Sequence, residues 1–490
     1  MEFPRMRILC SVVLALAFGD IVVADSASSP MPSPERIAKL LETASGDTAR
    51  PERLWDETDE QRKHRLQWWR ESRFGMFIHF GLYSLPARHE WVKSIEQMSD
   101  AAYDQYFQNF NPDKLDVRLW VRAAKRAGMK YIVLTTKHHE GFCLFDSKLT
   151  DYKITKTKYG RDLVREFVSA CREEDMRVGF YYSLPDWHHE HYTIDKYHPQ
   201  RPLKCSPFGD AALVGPEEPW LRLNEGKDFS QYIRYMRGQI TELLTNYGPV
   251  DLMWFDFTMP EKRTKQASDW QSKELVSMVR KLQPGIIIND RLGLGTTTLD
   301  GWDFVTPEQK MPNPESLVRF GRSVPWERCQ TFSGSWGYHR DQQGWKSERE
   351  CIELLVQAVS HGGNLIMNVG PTGRGEFDDR AASRLDAYAA WMDRHSRAIY
   401  CCTAAPAEFK VPKGTLLTYN AETHRLYLHL LDYPSEPLAL PFAARIGYAQ
   451  FLNDASEIRV TEGKLILPKK APAVVVPVVE MTITEGGVNP

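Results

Sequence analysis

Residues 250–257 read Val250-Asp251-Leu252-Met253-Trp254-Phe255-Asp256-Phe257. The run is almost wholly apolar, is of strand length, and follows a helical pattern over 229–247 (Ile233, Met236, Ile240, Leu243, Leu244) that Gly248-Pro249 stops. A strand apolar on both faces needs cover on both, as in a parallel sheet wrapped by helices. An acid within such a run is costly unless it is paired or hydrogen-bonded, so Asp256 needs a reason to be there. A buried acid holding a neighbouring loop would be reason enough if Asp256 stood alone.

It does not stand alone. Strand-length apolar runs recur at 74–80, 131–136, 178–183, 286–289, 304–308 and 365–369. Amphipathic helical stretches lie between them; in 116–127, Leu119, Trp120, Ala123, Ala124 and Ala127 share a face, Asp116 can cap the start and Gly128 sits where a left-handed stop belongs. This alternation predicts a (β/α) barrel or a doubly wound sheet. The strand ends carry His79, His138-His139, Tyr181-Tyr182, Trp254 with Asp256, Asn289-Asp290-Arg291 and Glu308. A barrel gathers such carboxyl ends around one site, which favours the barrel. Beyond residue 400 the pattern becomes short alternating segments (416–419, 425–431, 438–440, 464–467, 474–483), as in an antiparallel sandwich. The expectation is an α/β chain: a (β/α)8-like TIM barrel over 51–400, then a small C-terminal β-sandwich over 401–490.

Composition narrows the partners. Lys+Arg number 62 against 64 Asp+Glu, a formal net charge of −2, which offers no cationic field for nucleic acid. Arg5 and Arg7 precede an apolar run over 8–19, and Ala24 offers a small residue for cleavage, so 1–24 reads as an export signal and 25–50 as a leader. That run is too short to span a membrane. A periplasmic or extracellular protein is expected, and without an Asn-x-Ser/Thr site it reads as bacterial more readily than as a lysosomal glycoprotein. The odd number of cysteines left after the signal implies a free thiol or an intermolecular bond.

Two carboxyls facing one cavity are the parts of glycoside hydrolysis: one attacks or stabilises the anomeric carbon, the other protonates the leaving oxygen. Neutral His, Tyr and Arg can bind sugar hydroxyls, and Trp supplies an apolar face. His188, His189 and His191 invite a metal site, but no His-Glu-x-x-His occurs, so a histidine-bearing loop is the plainer reading and no cofactor or metal is expected. Glycines 293–295 and 370–375 lack the spacing of a phosphate cradle.

Several blocks in order, Phe74-Gly75-Met76-Phe77-Ile78-His79-Phe80-Gly81, Glu90-Trp91, Lys137-His138-His139-Glu140-Gly141-Phe142, Trp254-Phe255-Asp256, Asn289-Asp290-Arg291, Ser335-Trp336-Gly337-Tyr338 and Gly362-Gly363-Asn364 through Asn368-Val369-Gly370-Pro371, resemble the retaining α-L-fucosidases of glycoside hydrolase family 29. The resemblance implies Asp256 as nucleophile and Glu308 as acid/base, with Glu327 as the rival; position argues for Glu308, which ends a strand candidate, whereas Glu327 lies near the start of a possible one. It implies that His79, Glu90, Trp91, His138, His139, Tyr181, Trp254 and Arg291 hold the sugar, with Tyr182 the alternative to Tyr181, and that Trp336 packs on the fucose methyl. The implied partner is a fucosylated glycan or oligosaccharide, with no nucleic acid and no membrane span; a homo-oligomer is compatible with it. The sequence departs from the family at His395-Ser396-Arg397, where a contact to the last domain is expected to differ, and 187–219 reads as a loop insertion over the site. Two other readings are a secreted carbohydrate-binding protein without activity and a metal-dependent barrel hydrolase. The presence of both acids argues against the first.

Overall fold

The computed structural model describes residues 36, 39–40, 53–202, 207–208, 216–259, 261–295, 298, 300–319 and 322–484. The expected signal over 1–24 lies outside them, and of the leader only 36, 39 and 40 are described.

Seven parallel strands, β1 (Phe74–Ile78), β2 (Tyr131–Lys137), β3 (Arg177–Ser183), β4 (Leu252–Asp256), β5 (Ile287–Ile288), β6 (Glu327–Thr331) and β7 (Asn364–Val369), form one sheet in the order β5-β4-β3-β2-β1-β7-β6. Segment 304–308 joins its two edges. Asn289 bridges Phe304, Val305 bridges Trp326 and Glu308 bridges Cys329, all in parallel, and Val305 O accepts from Glu327 N at 2.9 Å. The sheet thus closes on itself, and every stave lies beside its neighbour in sequence, as a (β/α) barrel requires.

Helices α1 (Asp59–Ser72), α3 (Val117–Arg126), α4 (Leu163–Glu173), α5 (Phe229–Asn246), α6 (Ser272–Leu282), α7 (Glu348–Ser360) and α8 (Asp379–His395) surround the staves, with α2 (Asp100–Asn109) near the mouth. All but α6 start at a side-chain cap: Thr58 with Gln61 and Ser347 with Glu350 form capping boxes, and Ser99, Asp116, Asp162, Asp228 and Asp378 accept first-turn amides. Gly128, at φ +84°, ends the α3 turn in the left-handed region, as the sequence predicts.

Strand alternation sorts the core into two layers. Inward-pointing Phe77, Val133, Tyr181, Trp254, Ile287, Phe304, Cys329 and Ile366 fill the lumen. Outward-pointing Met76, Ile132, Phe180, Met253, Ile288 and Met367 pack under the helices. Glu327, expected near the start of a possible strand, begins β6: Glu327-Arg328-Cys329-Gln330-Thr331 has no apolar run, yet all five residues are buried.

After α8, strands β8 (Thr403–Ala404), β9 (Thr415–Asn420), β10 (Arg425–Leu430), β11 (Leu438–Ala439), β12 (Ile446–Phe451), β13 (Arg459–Thr461), β14 (Lys464–Ile466) and β15 (Val478–Ile483) make a five-stranded antiparallel sheet, β8-β9-β10-β15-β12, and a three-stranded one, β11-β14-β13. They share a core of Leu417, Leu428, Phe442, Phe451, Leu465 and Val479. This unit docks on the barrel. Arg397, in the segment that departs from the family pattern, reaches the buried Glu480 at 3.3 Å, and Ala398 O accepts from Thr418 Oγ1 at 2.7 Å.

Candidate active site

The carboxyl ends of the staves bring their polar side chains together. Asp256 ends β4 facing inward, two residues above Trp254, and Phe257 after it turns away at φ +84°, a conformation a non-glycine residue takes only under constraint. Tyr181 Oη donates to Asp256 Oδ2 at 2.8 Å and Arg291 Nη1 to Oδ1 at 3.2 Å. Arg291 Nη2 also reaches Glu308 Oε2 at 3.0 Å, while Arg291 Nε donates to Thr306 Oγ1 at 2.9 Å. Asp256 and Glu308 therefore share one guanidinium. Their environments differ: the Asp256 side chain is 14% exposed, that of Glu308 44%. Burial pushes the Asp256 carboxyl up to about 6, with Arg291 pulling down and the Glu308 charge pushing up.

The expected sugar-binding side chains ring this pair. His79 Nδ1 lies 2.7 Å from Asn368 Oδ1, whose amide nitrogen donates to Trp336 O; His79 therefore carries its hydrogen on Nδ1 and keeps Nε2 bare. Burial lowers its imidazole to about 3 and drives His138 and His139 well below the ordinary range, so all three are neutral. Buried His138 Nδ1 has no hydrogen-bond partner among the described residues. His139 Nδ1 lies 2.7 Å from Ser183 Oγ and Nε2 lies 3.9 Å from Asp256 Oδ2. The Arg291 guanidinium stacks over Trp254 at 4.9 Å. Trp336 lies beside His79, with ring centroids 5.2 Å apart, and its indole N–H donates to Glu308 Oε1 at 3.2 Å. Trp91 packs edge-on against His139 and beside Phe257.

Glu90 is placed differently from a simple sugar ligand. Its Oε2 accepts from Ser335 Oγ and from the amides of Trp336 and Gly337 (3.3, 3.1 and 2.9 Å), which fastens the loop carrying Trp336. Strand periodicity places the two tyrosines on opposite faces: Tyr181 faces Asp256, whereas Tyr182 points outward and donates to Gln239 at 2.8 Å.

Glu327 lies away from the pair. It begins β6, opposite Asn364, two residues before the Cys329 that bridges Glu308. There it is fully buried on the barrel floor, accepting from Tyr131 Oη and from Trp69 Nε1, and burial pushes its carboxyl up to about 7. Three positioning groups escaped the sequence reading: Thr306, Ser183 and Asn368. Each lies on an expected strand in the inward register, two residues from a site residue or at a strand end, and that register was the available signal. His188 stacks on Tyr152 with centroids 3.7 Å apart, and His188 and His189 give their amides to Asp186.

Known proteins resemble this chain over most of its length. The family model described as alpha-L-fucosidase matches residues 41–397. The tissue alpha-L-fucosidase of Homo sapiens is 30% identical over 394 residues, covering 75% of this chain and 76% of that protein. Among solved structures, alpha-L-fucosidase isoenzyme 1 from Paenibacillus thiaminolyticus is 40% identical with a TM-score of 0.77, covering 86% of this chain and 100% of that one. A Bacteroides thetaiotaomicron alpha-L-fucosidase, solved as a covalent intermediate trapped with 2-fluoro-fucosyl fluoride in a Glu-to-Gln variant, is 28% identical with a TM-score of 0.73, covering 90% and 99%. With most of its length matched by the family model and a barrel whose staves end in the family's motifs, this chain belongs to the α-L-fucosidase family of glycosidases.

Proposed function

We propose that the chain is an exo-acting α-L-fucosidase that removes terminal α-L-fucose from glycans with retention of configuration. The observation that carries the reading is the pair of carboxylates on one guanidinium, one recessed and one open to solvent. Sharing Arg291 favours the close spacing, about 5 to 5.5 Å, that goes with a covalent intermediate rather than room for an intervening water.

In this mechanism Asp256 attacks the anomeric carbon as the bond to the leaving oxygen breaks, and Glu308 gives that oxygen its proton. Glu308 then takes a proton from water, which attacks the same carbon and frees Asp256. The greater exposure of Glu308 suits a group that must meet both aglycone and water. His79, Trp91, His138, His139, Tyr181, Trp254 and Arg291 line the sugar pocket, Glu90 acts there largely through the loop it fastens, and Trp336 offers its face to the methyl group. The covalent intermediate trapped in the Bacteroides relative supports the same chemistry.

Export through the 1–24 signal, and domain limits at 51–400 and 401–490, belong to the same proposal; among the described residues no helix is long and apolar enough to cross a membrane. The test is azide rescue on 4-nitrophenyl α-L-fucoside. Asp256→Gly is expected to lose several orders of magnitude in turnover and, with azide, to yield β-fucosyl azide. Parental turnover by that variant would refute the assignment.

A further inference from the structure

Lys137 ends β2 with its ammonium buried, and Asp186 follows β3, buried as well; Lys137 Nζ lies 3.0 Å from Asp186 Oδ2 and over the Tyr182 ring at 4.5 Å. Such a pair is costly to desolvate and is weak evidence for stability by itself. Its setting suggests what it does. Asp186 Oδ1 accepts the amides of His188 and His189 (3.0 and 2.9 Å), and a Cβ at Gly141, φ +86°, would come within 2.3 Å of the same oxygen. The loop after β3 is thereby clamped to the turn that holds His138 and His139. The adjacent Trp187 amide donates to His139 O at 2.7 Å.

The same loop decides the tautomer of His139. Ser183 Oγ gives its one hydrogen to Pro185 O at 2.6 Å, so its bond with His139 Nδ1, 2.7 Å, must be donated by the imidazole. A neutral His139 then presents a bare Nε2 to Asp256 Oδ2 at 3.9 Å.

We propose that Lys137 and Asp186 form a positioning pair that holds His139 as a neutral imidazole, hydrogen on Nδ1, with its bare Nε2 turned to Asp256. On the reading that Asp256 is the nucleophile, a protonated His139 would instead form an ion pair with that carboxylate and blunt its attack. The titratable and charged groups around the His139 ring are Asp256 from β4, His138 with its centroid 4.1 Å away, His79 from β1, and Lys137 itself; Trp91, Trp187 and Phe257 complete the enclosure. Burial disfavours the imidazolium first and the Lys137 charge second.

The test uses the full chain carrying Lys137→Met with Asp186→Asn, which removes the pair without leaving either charge buried alone. In histidine labelled with 13C at Cε1, and assigned with His139→Gln, the parental His139 signal is expected to hold constant from pH 8 to 5. In the double variant, which takes away the Lys137 charge but leaves the burial, it is expected to move with pH above 5, toward the ordinary imidazole range. On 4-nitrophenyl α-L-fucoside, kcat/KM of the variant should then fall more steeply between pH 8 and 5 than that of the parent. A His139 signal that stays constant in the variant, or a loss of kcat by the same factor at every pH, would overturn the proposal. The NMR arm needs no turnover, so its failure is distinct from a failure of the Asp256 assignment, which azide rescue decides.

Discussion

Asp256 and Glu308 lie on the two terminal nitrogens of a single guanidinium, Oδ1 of the first 3.2 Å from Arg291 Nη1 and Oε2 of the second 3.0 Å from Nη2. The arrangement lets one cation stabilise charge on either acid as the proton moves. It also sets how the recessed carboxyl titrates.

Burial holds the Asp256 carboxyl up at about 6, and Arg291 is the main influence in the other direction. An attacking carboxylate must be ionised, so kcat/KM should decline as pH falls through about 6. Arg291→Met removes the downward pull, and the acid limb should move to higher pH by about one pH unit, on top of a uniform loss from weaker sugar binding. Profiles of kcat/KM on 4-nitrophenyl α-L-fucoside from pH 4.5 to 9 check this. A limb that stays in place would mean that another group governs it.

Trp336 donates its indole N–H to Glu308 Oε1 at 3.2 Å. Trp336→Phe keeps an aromatic face for the sugar and deletes the donor. A hydrogen bond to a carboxylate contributes about 1.5 to 3 kcal/mol, so loss of about tenfold or more is expected where proton delivery limits the rate. Fucosyl disaccharides, with poor leaving groups, should suffer that loss, whereas the nitrophenyl glycoside should be much less affected. Equal losses on both would show that the indole serves packing alone.

What could be read in advance follows from where the information lies. The staves with apolar runs were visible, and so was the anomaly of Asp256, because burial on both faces demands a continuous apolar run. Strand β6 showed only as a possible strand near Glu327, because on either side of inward Cys329 its inward positions, Glu327 and Thr331, are polar and are satisfied by partners distant in sequence. Choosing Tyr181 over Tyr182 needed the register against Asp256. In the last domain, β12 escaped notice because its first half, Ile446 to Tyr448, is largely exposed and contains Gly447, which leaves little alternation to see.

Glu327 can be separated from Glu308 by stability rather than rate. Its folded carboxyl titrates at about 7, above its ordinary 4.5, so ionisation is disfavoured in the folded state. That cost is absent below pH 4.5, grows as pH rises, and is complete above about 7. Glu327→Gln keeps an oxygen for Tyr131 and Trp69 and cannot ionise; at pH 8 it should be more stable than the parent by about 3 kcal/mol and at pH 4 equal to it. Denaturant unfolding at the two pH values measures this. Activity should be near parental, with no azide rescue of Glu327→Ala; rescue there would make Glu327 the acid/base.

Barrel closure gives the last prediction. Asp303, immediately before the stave that carries Glu308, is fully buried between Arg65 (2.8 Å) and Arg280 (2.7 Å), and accepts from Ile288 N at 2.9 Å. Although burial itself opposes ionisation, Arg280, Arg65 and Arg62 hold its carboxyl far below the ordinary range. A depressed folded value means stability that is fully present above the ordinary carboxylate range, about pH 4, and is lost as pH falls below it. Asp303→Asn leaves Arg280 buried without its counter-charge and should destabilise the chain by about 3 to 5 kcal/mol at pH 7. The difference should shrink as pH drops below about 4, where the parent begins to lose the same pairing. Because 304–308 is anchored there, kcat on fucosyl disaccharides should fall more than KM rises, as Glu308 loses its fixed place. A variant as stable as the parent at pH 7 would show that the bridges of 304–308 to β5 and β6 suffice to close the barrel without this ion cluster.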